Sequence, residues 1–199
     1  MTTIQEAKIG DYVKFGSYPQ SAKGIVRPIE WLVLSKEENK MLLISRYGLE
    51  ARYFIKAKCF DSNSNDWKNS EIRKWLNGEF YNKAFDENEK TNINPFDGDN
   101  LFLLSKEEVE KYFVNAKERK CKATKHAVKN CALIDNGCNY WWLPKTLVND
   151  NNGCSSWWLR SPRPNISNIV YNVDSVGSIV CSRVDDSYNF VRPALWIKL

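Results

Sequence analysis

Along the first third of the chain, apolar residues gather in short runs bounded by polar or turn-forming residues. Tyr12-Val13-Lys14-Phe15 runs into Gly16-Ser17-Tyr18-Pro19, which reads as a strand followed by a turn. Pro28-Ile29-Glu30-Trp31-Leu32-Val33-Leu34 and Lys40-Met41-Leu42-Leu43-Ile44-Ser45 are too short for helices. They predict two buried strands joined by the polar turn 36–39. From Asn69 the period changes: Ile72, Trp75, Leu76 and Phe80 step by three and four, the spacing of one buried helical face. Ser105-Lys106-Glu107-Glu108 has the form of a capping box, in which the Ser hydroxyl accepts from the third amide and Glu108 reaches back. Val109, Tyr112 and Phe113 continue the apolar face of that helix. Between the two helices, 100–104 predicts a strand, and 124–129 predicts a further short helix.

After Asn130 the chain becomes rich in Asn, Gly, Ser and Asp, with β-branched patches at Ile169-Val170, Gly177-Ser178-Ile179-Val180 and 191–199. That texture predicts a short-stranded sheet with large loops. Two tryptophan pairs, Trp141-Trp142 and Trp157-Trp158, read as core packing before they read as a binding platform. The whole pattern is α+β.

Composition narrows the picture. The 199 residues fit one domain, 1–199, and eight Trp, nine Tyr and nine Phe supply a core despite a mean hydropathy of -0.52. No window approaches 18 apolar residues, so no membrane span is expected. The first fifteen residues lack a basic stretch followed by an apolar one. The default expectation is therefore the cytoplasm, with surface display by another route left open. The net charge is +5, and its densest basic run is Lys117, Arg119, Lys120, Lys122, Lys125 and Lys129. With no stacking motif beside it, this run reads as a solvated face, and nucleic acid is not an expected partner. The six cysteines (Cys59, Cys121, Cys131, Cys138, Cys154, Cys181) form no CxxC, and His126 is the single histidine. Reduced thiols and no zinc site are expected.

Trp157-Trp158-Leu159-Arg160-Ser161-Pro162 and Val191-Arg192-Pro193-Ala194-Leu195-Trp196 resemble a bacterial domain family of unassigned function. So do 10–20, 28–34, Arg73-Lys74-Trp75-Leu76-Asn77, Phe80-Tyr81 and Phe102-Leu103-Leu104-Ser105. The family is similar to the formylglycine-generating-enzyme branch of the C-type lectin fold. The resemblance implies a mixed sheet, two main helices and a loop-rich C-terminal half. Some members of that branch are variable proteins of diversity-generating retroelements, in which adenines near the 3′ end of the gene are randomised. An asparagine codon so treated never becomes Lys, Glu, Gln, Met or Trp. These five types make up 45 of the 199 residues, yet 163–190 contains none, where proportion would place about six. The stretch 163–190 is therefore the candidate variable, ligand-binding region; an ordinary Lys-poor loop is the plainer reading.

Within it, Tyr171 and Tyr188 with Asn165, Asn168, Asn172 and Asn189 form a Tyr/Asn-rich set of the kind found in adaptable paratopes. Ile166 adds an apolar contact, and Asp174, Arg183, Asp185 and Asp186 add charge selectivity. The expected partner is a protein or glycan, reached either by a diversified surface or by an undiversified interaction module of the same fold. A formylglycine-generating-type oxidase is a third reading. That resemblance would require a close cysteine pair holding copper, and the nearest pair in sequence, Cys131 and Cys138, does not supply it. No enzymatic activity is expected, and His126 reads as a surface residue beside Lys125. Asp185-Asp186, taken as neighbours on a strand, would point to opposite faces and could not converge on one bond. No cofactor is expected; 97–100 and 149–152 hold oxygen ligands suited to Ca²⁺ but read first as turns.

Overall fold

The two apolar runs near the N-terminus pair as antiparallel neighbours. The computed structural model describes residues 3–56, 65–134 and 153–199. β1 (Tyr12–Pro19), β2 (Val26–Lys36) and β3 (Lys40–Ser45) form an antiparallel meander. Gly16-Ser17 is not a turn but lies inside β1, where the register with β2 slips between Lys14 and Ser17. Gly16 sits at φ 66, and a Cβ there would meet the Phe85 ring at 2.5 Å, so this irregularity requires glycine.

The last strand, β13 (Ala194–Lys198), pairs with β3, and β6 (Ile93–Asn94) pairs with β13. The sheet order is β1-β2-β3-β13-β6. A second five-stranded sheet runs β11 (Ile179–Arg183), β10 (Ile169–Val173), β9 (Trp157–Pro162), β12 (Phe190–Val191) and β5 (Glu50–Ala51). A small third sheet joins β4 (Tyr47–Gly48), β7 (Cys121–Ala123) and β8 (Cys154–Ser155).

Alternate residues of the central strands feed two separate cores. Met41 and Leu43 of β3, Trp158 of β9 and Leu195 and Ile197 of β13 enter one. Leu42 and Ile44, Trp157 and Leu159, and Ala194 and Trp196 enter the other. Because both faces are covered, these strands read as unbroken apolar runs rather than as in-out alternation. Trp157 and Trp158 are both fully buried, as a core role demands. Their indole N–H groups donate to the carbonyls of Arg119 and Arg52.

The helical segments serve different cores: Ile72, Leu76 and Phe80 enter the first and Val109 the second. α1 (Glu71–Trp75), a π-helical segment Leu76–Phe80 and α2 (Tyr81–Ala84) follow one another directly, burying Ile72, Leu76 and Phe80. α3 (Glu87–Asn92) and α4 (Lys106–Tyr112) both start with a capping box, that of α4 on Ser105 and Glu108. α5 (Ala116–Arg119) is a single turn, and α6 (Lys125–Ile134) extends the short helix expected over 124–129. The expected strand at 100–104 does not form. Phe102 makes one bridge to Ala194, and the amides of Asn100 and Leu101 donate to the Asn77 side chain instead. The architecture is α+β, mostly antiparallel sheet with few helices, and no described helix is long and apolar enough to cross a membrane.

The two motifs at 157–162 and 191–196 build this frame. Arg160 forks onto Glu108 at 2.5 and 2.8 Å and also donates to the Leu103 carbonyl, tying the start of α4 to β9. Ser161 Oγ accepts the Lys106 amide. Arg192, 3% exposed, donates to the Ser45 carbonyl and stacks 4.8 Å from the Trp157 ring.

Candidate functional site

The stretch 163–190 is a built hairpin rather than a loose loop. β10 and β11 pair without a slip from Ile169↔Arg183 to Val173↔Ile179. The Asn65 amide clamps the approach to β10 by donating to the carbonyls of Arg163, Ile166 and Ile169. Several candidate residues serve this hairpin. Asn172 and Asn189 are each 2% exposed, and the Asn172 amide donates to Asn189 Oδ1 at 2.9 Å. Their side chains are therefore buried, not offered to a ligand as the sequence reading had it. Asp174 Oδ1 accepts the amides of Val176 and Ser178, which closes the β10–β11 turn. Asp186 accepts the Arg183 amide, and burial raises its carboxyl above the ordinary range. Asp185 and Asp186 follow β11 in a turn rather than lying on a strand, and Asp185 holds Arg183 through two bonds of 2.9 and 2.8 Å.

Position divides the candidates. Asn165, Ile166 and Asn168 precede β10, and Arg183, Asp185 and Asp186 follow or end β11; antiparallel pairing puts both groups at one end of the sheet. The Val184 amide bonded to the Asn168 carbonyl joins them. Asp174 lies at the other end of the hairpin, a five-residue strand or roughly 15 Å away. Tyr171 sits between, half-buried, with Lys106 5.5 Å from its ring, and Tyr188 is half-buried on the way to β12. One compact end patch results, with Asn165 and Ile166 exposed at its tip, Asn165 at φ 64.

Of the two calcium-type loops, 149–152 lies outside the described residues. In the other, Asp99 is 4% exposed and already accepts Arg73 Nε at 2.8 Å and Trp67 Nε1 at 3.0 Å. Its carboxylate is committed to the fold. Cys59 and Cys138 also lie outside the described residues, as do Trp141-Trp142; Cys121, Cys154 and Cys181 are free thiols. Burial pushes the Cys121 thiol upward, away from thiolate reactivity.

His126 is not a surface histidine. α6 carries His126 and Asn130 one turn apart on one face, against Glu50 of β5 and Tyr18 of β1. Glu50, 7% exposed, accepts Tyr18 OH at 3.1 Å and Asn130 Nδ2 at 3.0 Å, and His126 Nε2 lies 3.6 Å from it. Burial, then the Glu50 charge, drives the Tyr18 hydroxyl far above its usual range, so it stays a proton donor. These residues line a cleft of about 600 Å³ that the sequence reading missed. The legible signals were the carboxylate in Leu49-Glu50-Ala51 and the i, i+4 spacing of His126 and Asn130.

Fold and sites together define a sheet-rich α+β protein with an end patch on a paired hairpin and a separate polar cleft. The chain belongs to the family described as domain of unknown function DUF6273, whose profile matches residues 38–97 and 98–199. No curated protein and no solved structure matches it.

Proposed function

We propose that this chain is a ligand-binding module of the C-type-lectin type, without catalytic activity. Its 163–190 stretch, diversified by a retroelement, presents the end patch to a protein or glycan. The observation that carries the reading is the division of labour within that stretch. Val170, Asn172, Val173, Val184 and Asn189 are buried and hold the hairpin, while Asn165, Ile166 and Arg183 stand exposed on it. A rigid frame with solvated side chains accepts substitution at small cost in stability. The sheet-rich α+β architecture agrees with a lectin-type scaffold. The structural roles of Asp174 and Asp186 favour a second reading, an undiversified interaction module using the same patch.

Surface display of two libraries tests the binding role. One randomises Asn165, Ile166, Asn168, Arg183 and Asp185; the other randomises an equal number of exposed β1–β2 loop positions. The end-patch library is expected to stay folded and yield target-specific binders more often. Equal yields, or a collapse of folding in the end-patch library, would remove the assignment.

A further inference from the structure

The cleft beside α6 is independent of the end patch, and its chemistry selects a ligand. Three carboxylates (Glu50, Glu71, Glu79) and three cations (Arg52, Lys56, Lys83) line it. A polyanion such as a nucleotide would meet as many repulsive groups as attractive ones. Of the two tyrosines that line it, Tyr18 is only 2% exposed with Lys83 Nζ 5.2 Å from its ring, and Tyr53 is half-buried, so neither ring is a fully open platform for a sugar.

The charges that face the cleft are unevenly satisfied. The Arg52 guanidinium carbon lies 4.3 Å from the centroid of the Trp75 ring, a cation–π contact that holds the side chain at the cleft. Its nearest carboxylate among the described residues, Glu79, is 3.8 Å away, beyond a direct hydrogen bond, and its Nε is buried without a partner among those residues. Its terminal nitrogens, on a side chain 36% exposed and without a direct bond to Glu79, form the fork that a carboxylate in the cleft would meet. Lys83 has no ion pair among the described residues. Glu50 is held by Tyr18 and Asn130 through one bond to each oxygen, with His126 Nε2 3.6 Å from the oxygen that Tyr18 holds, and the remaining lone pairs can accept a further donor.

We propose that this cleft binds a small zwitterion, a free amino acid or short peptide, with its carboxylate on Arg52 and Lys83 and its ammonium on Glu50. A volume of about 600 Å³ has room for a ligand of one or two residues.

Titration calorimetry of the full chain against glycylglycine and the L-amino acids one by one tests this. At least one zwitterion is expected to bind saturably, and its N-acetylated and its amidated forms are each expected to bind about tenfold or more weakly, each having lost one charged contact. Lys83→Met, at the cleft wall, is expected to weaken binding of that zwitterion about tenfold with an unchanged Tm, and Arg52→Gln to do the same. Should Arg52→Gln unfold the chain, Lys83→Met still decides. Absence of saturable heat with every zwitterion, equal binding of the blocked forms, unchanged affinity in Lys83→Met, or binding of methyl glycosides instead would overturn the assignment.

Discussion

Replacing Asn189 with Leu removes the acceptor of a hydrogen bond that lies wholly inside the protein. Asn172 Nδ2 would then be buried without a partner, joining its own Oδ1, which is already buried and unbonded. Orphaning one buried amide donor costs about 1–3 kcal/mol, or a Tm lower by roughly 2–12 °C for a chain of this size. Asn172→Leu behaves differently. It orphans Asn189 Oδ1 but also deletes the unbonded Asn172 Oδ1, so one unsatisfied acceptor replaces another and the net cost stays below about 1 kcal/mol. The double variant removes both polar groups and recovers much of the Asn189→Leu loss, a coupling of about 1 kcal/mol or more. Urea unfolding followed by tryptophan fluorescence, with a constant m-value, measures all three. An Asn189→Leu variant within about 0.5 kcal/mol of the parent, or single effects that simply add, would refute the reasoning.

Other substitutions probe the same frame. A Cβ at Gly177, where φ is 89, would sit 1.8 Å from the Ala116 carbonyl oxygen. Gly177→Ala is therefore expected to cost more than about 2 kcal/mol, against about 1 kcal/mol for Gly98→Ala, which points into open space; comparable Tm losses would contradict this. Glu108→Gln weakens the fork from Arg160 and one arm of the α4 capping box together, and about 1–3 kcal/mol should be lost in urea titrations. Asp186 titrates above the ordinary carboxyl range because it is buried, so its ionisation disfavours the folded state. That penalty is absent below the unfolded carboxyl pKa and accrues as pH rises through the raised folded value. Asp186→Asn should thus raise Tm at neutral pH, with the gain vanishing as pH falls; a gain independent of pH would contradict the burial argument.

Much of the frame was legible because it rests on local rules. The β2–β3 hairpin, the helical face through Ile72 and Phe80, and the Ser105–Glu108 box each follow from period or capping within a dozen residues. What failed depended on distant contacts. Gly16-Ser17 reads as a turn until Phe85 is known to pack on it. The stretch 100–104 reads as a strand until the Asn77 side chain takes the amides that a ladder would use. The candidate surface shows the same limit. Asn, Asp and Tyr at 165–189 look alike in sequence, yet partners on other segments make Asn172 structural and leave Asn165 exposed. Glu50, Tyr18 and His126 lie far apart in the chain, and only the approach of α6 to β5 brings them together.

Sequencing this locus across a population of the source organism tests the central claim most directly. Diversification predicts substitutions at template adenines concentrated at residues 165, 166, 168, 183 and 185, with Asn172, Gly177 and Asn189 fixed by the hairpin. Position 165, held at φ 64, should favour Asn, Asp and Gly. An invariant 163–190, or variation spread over the buried positions as freely as the exposed ones, would contradict it.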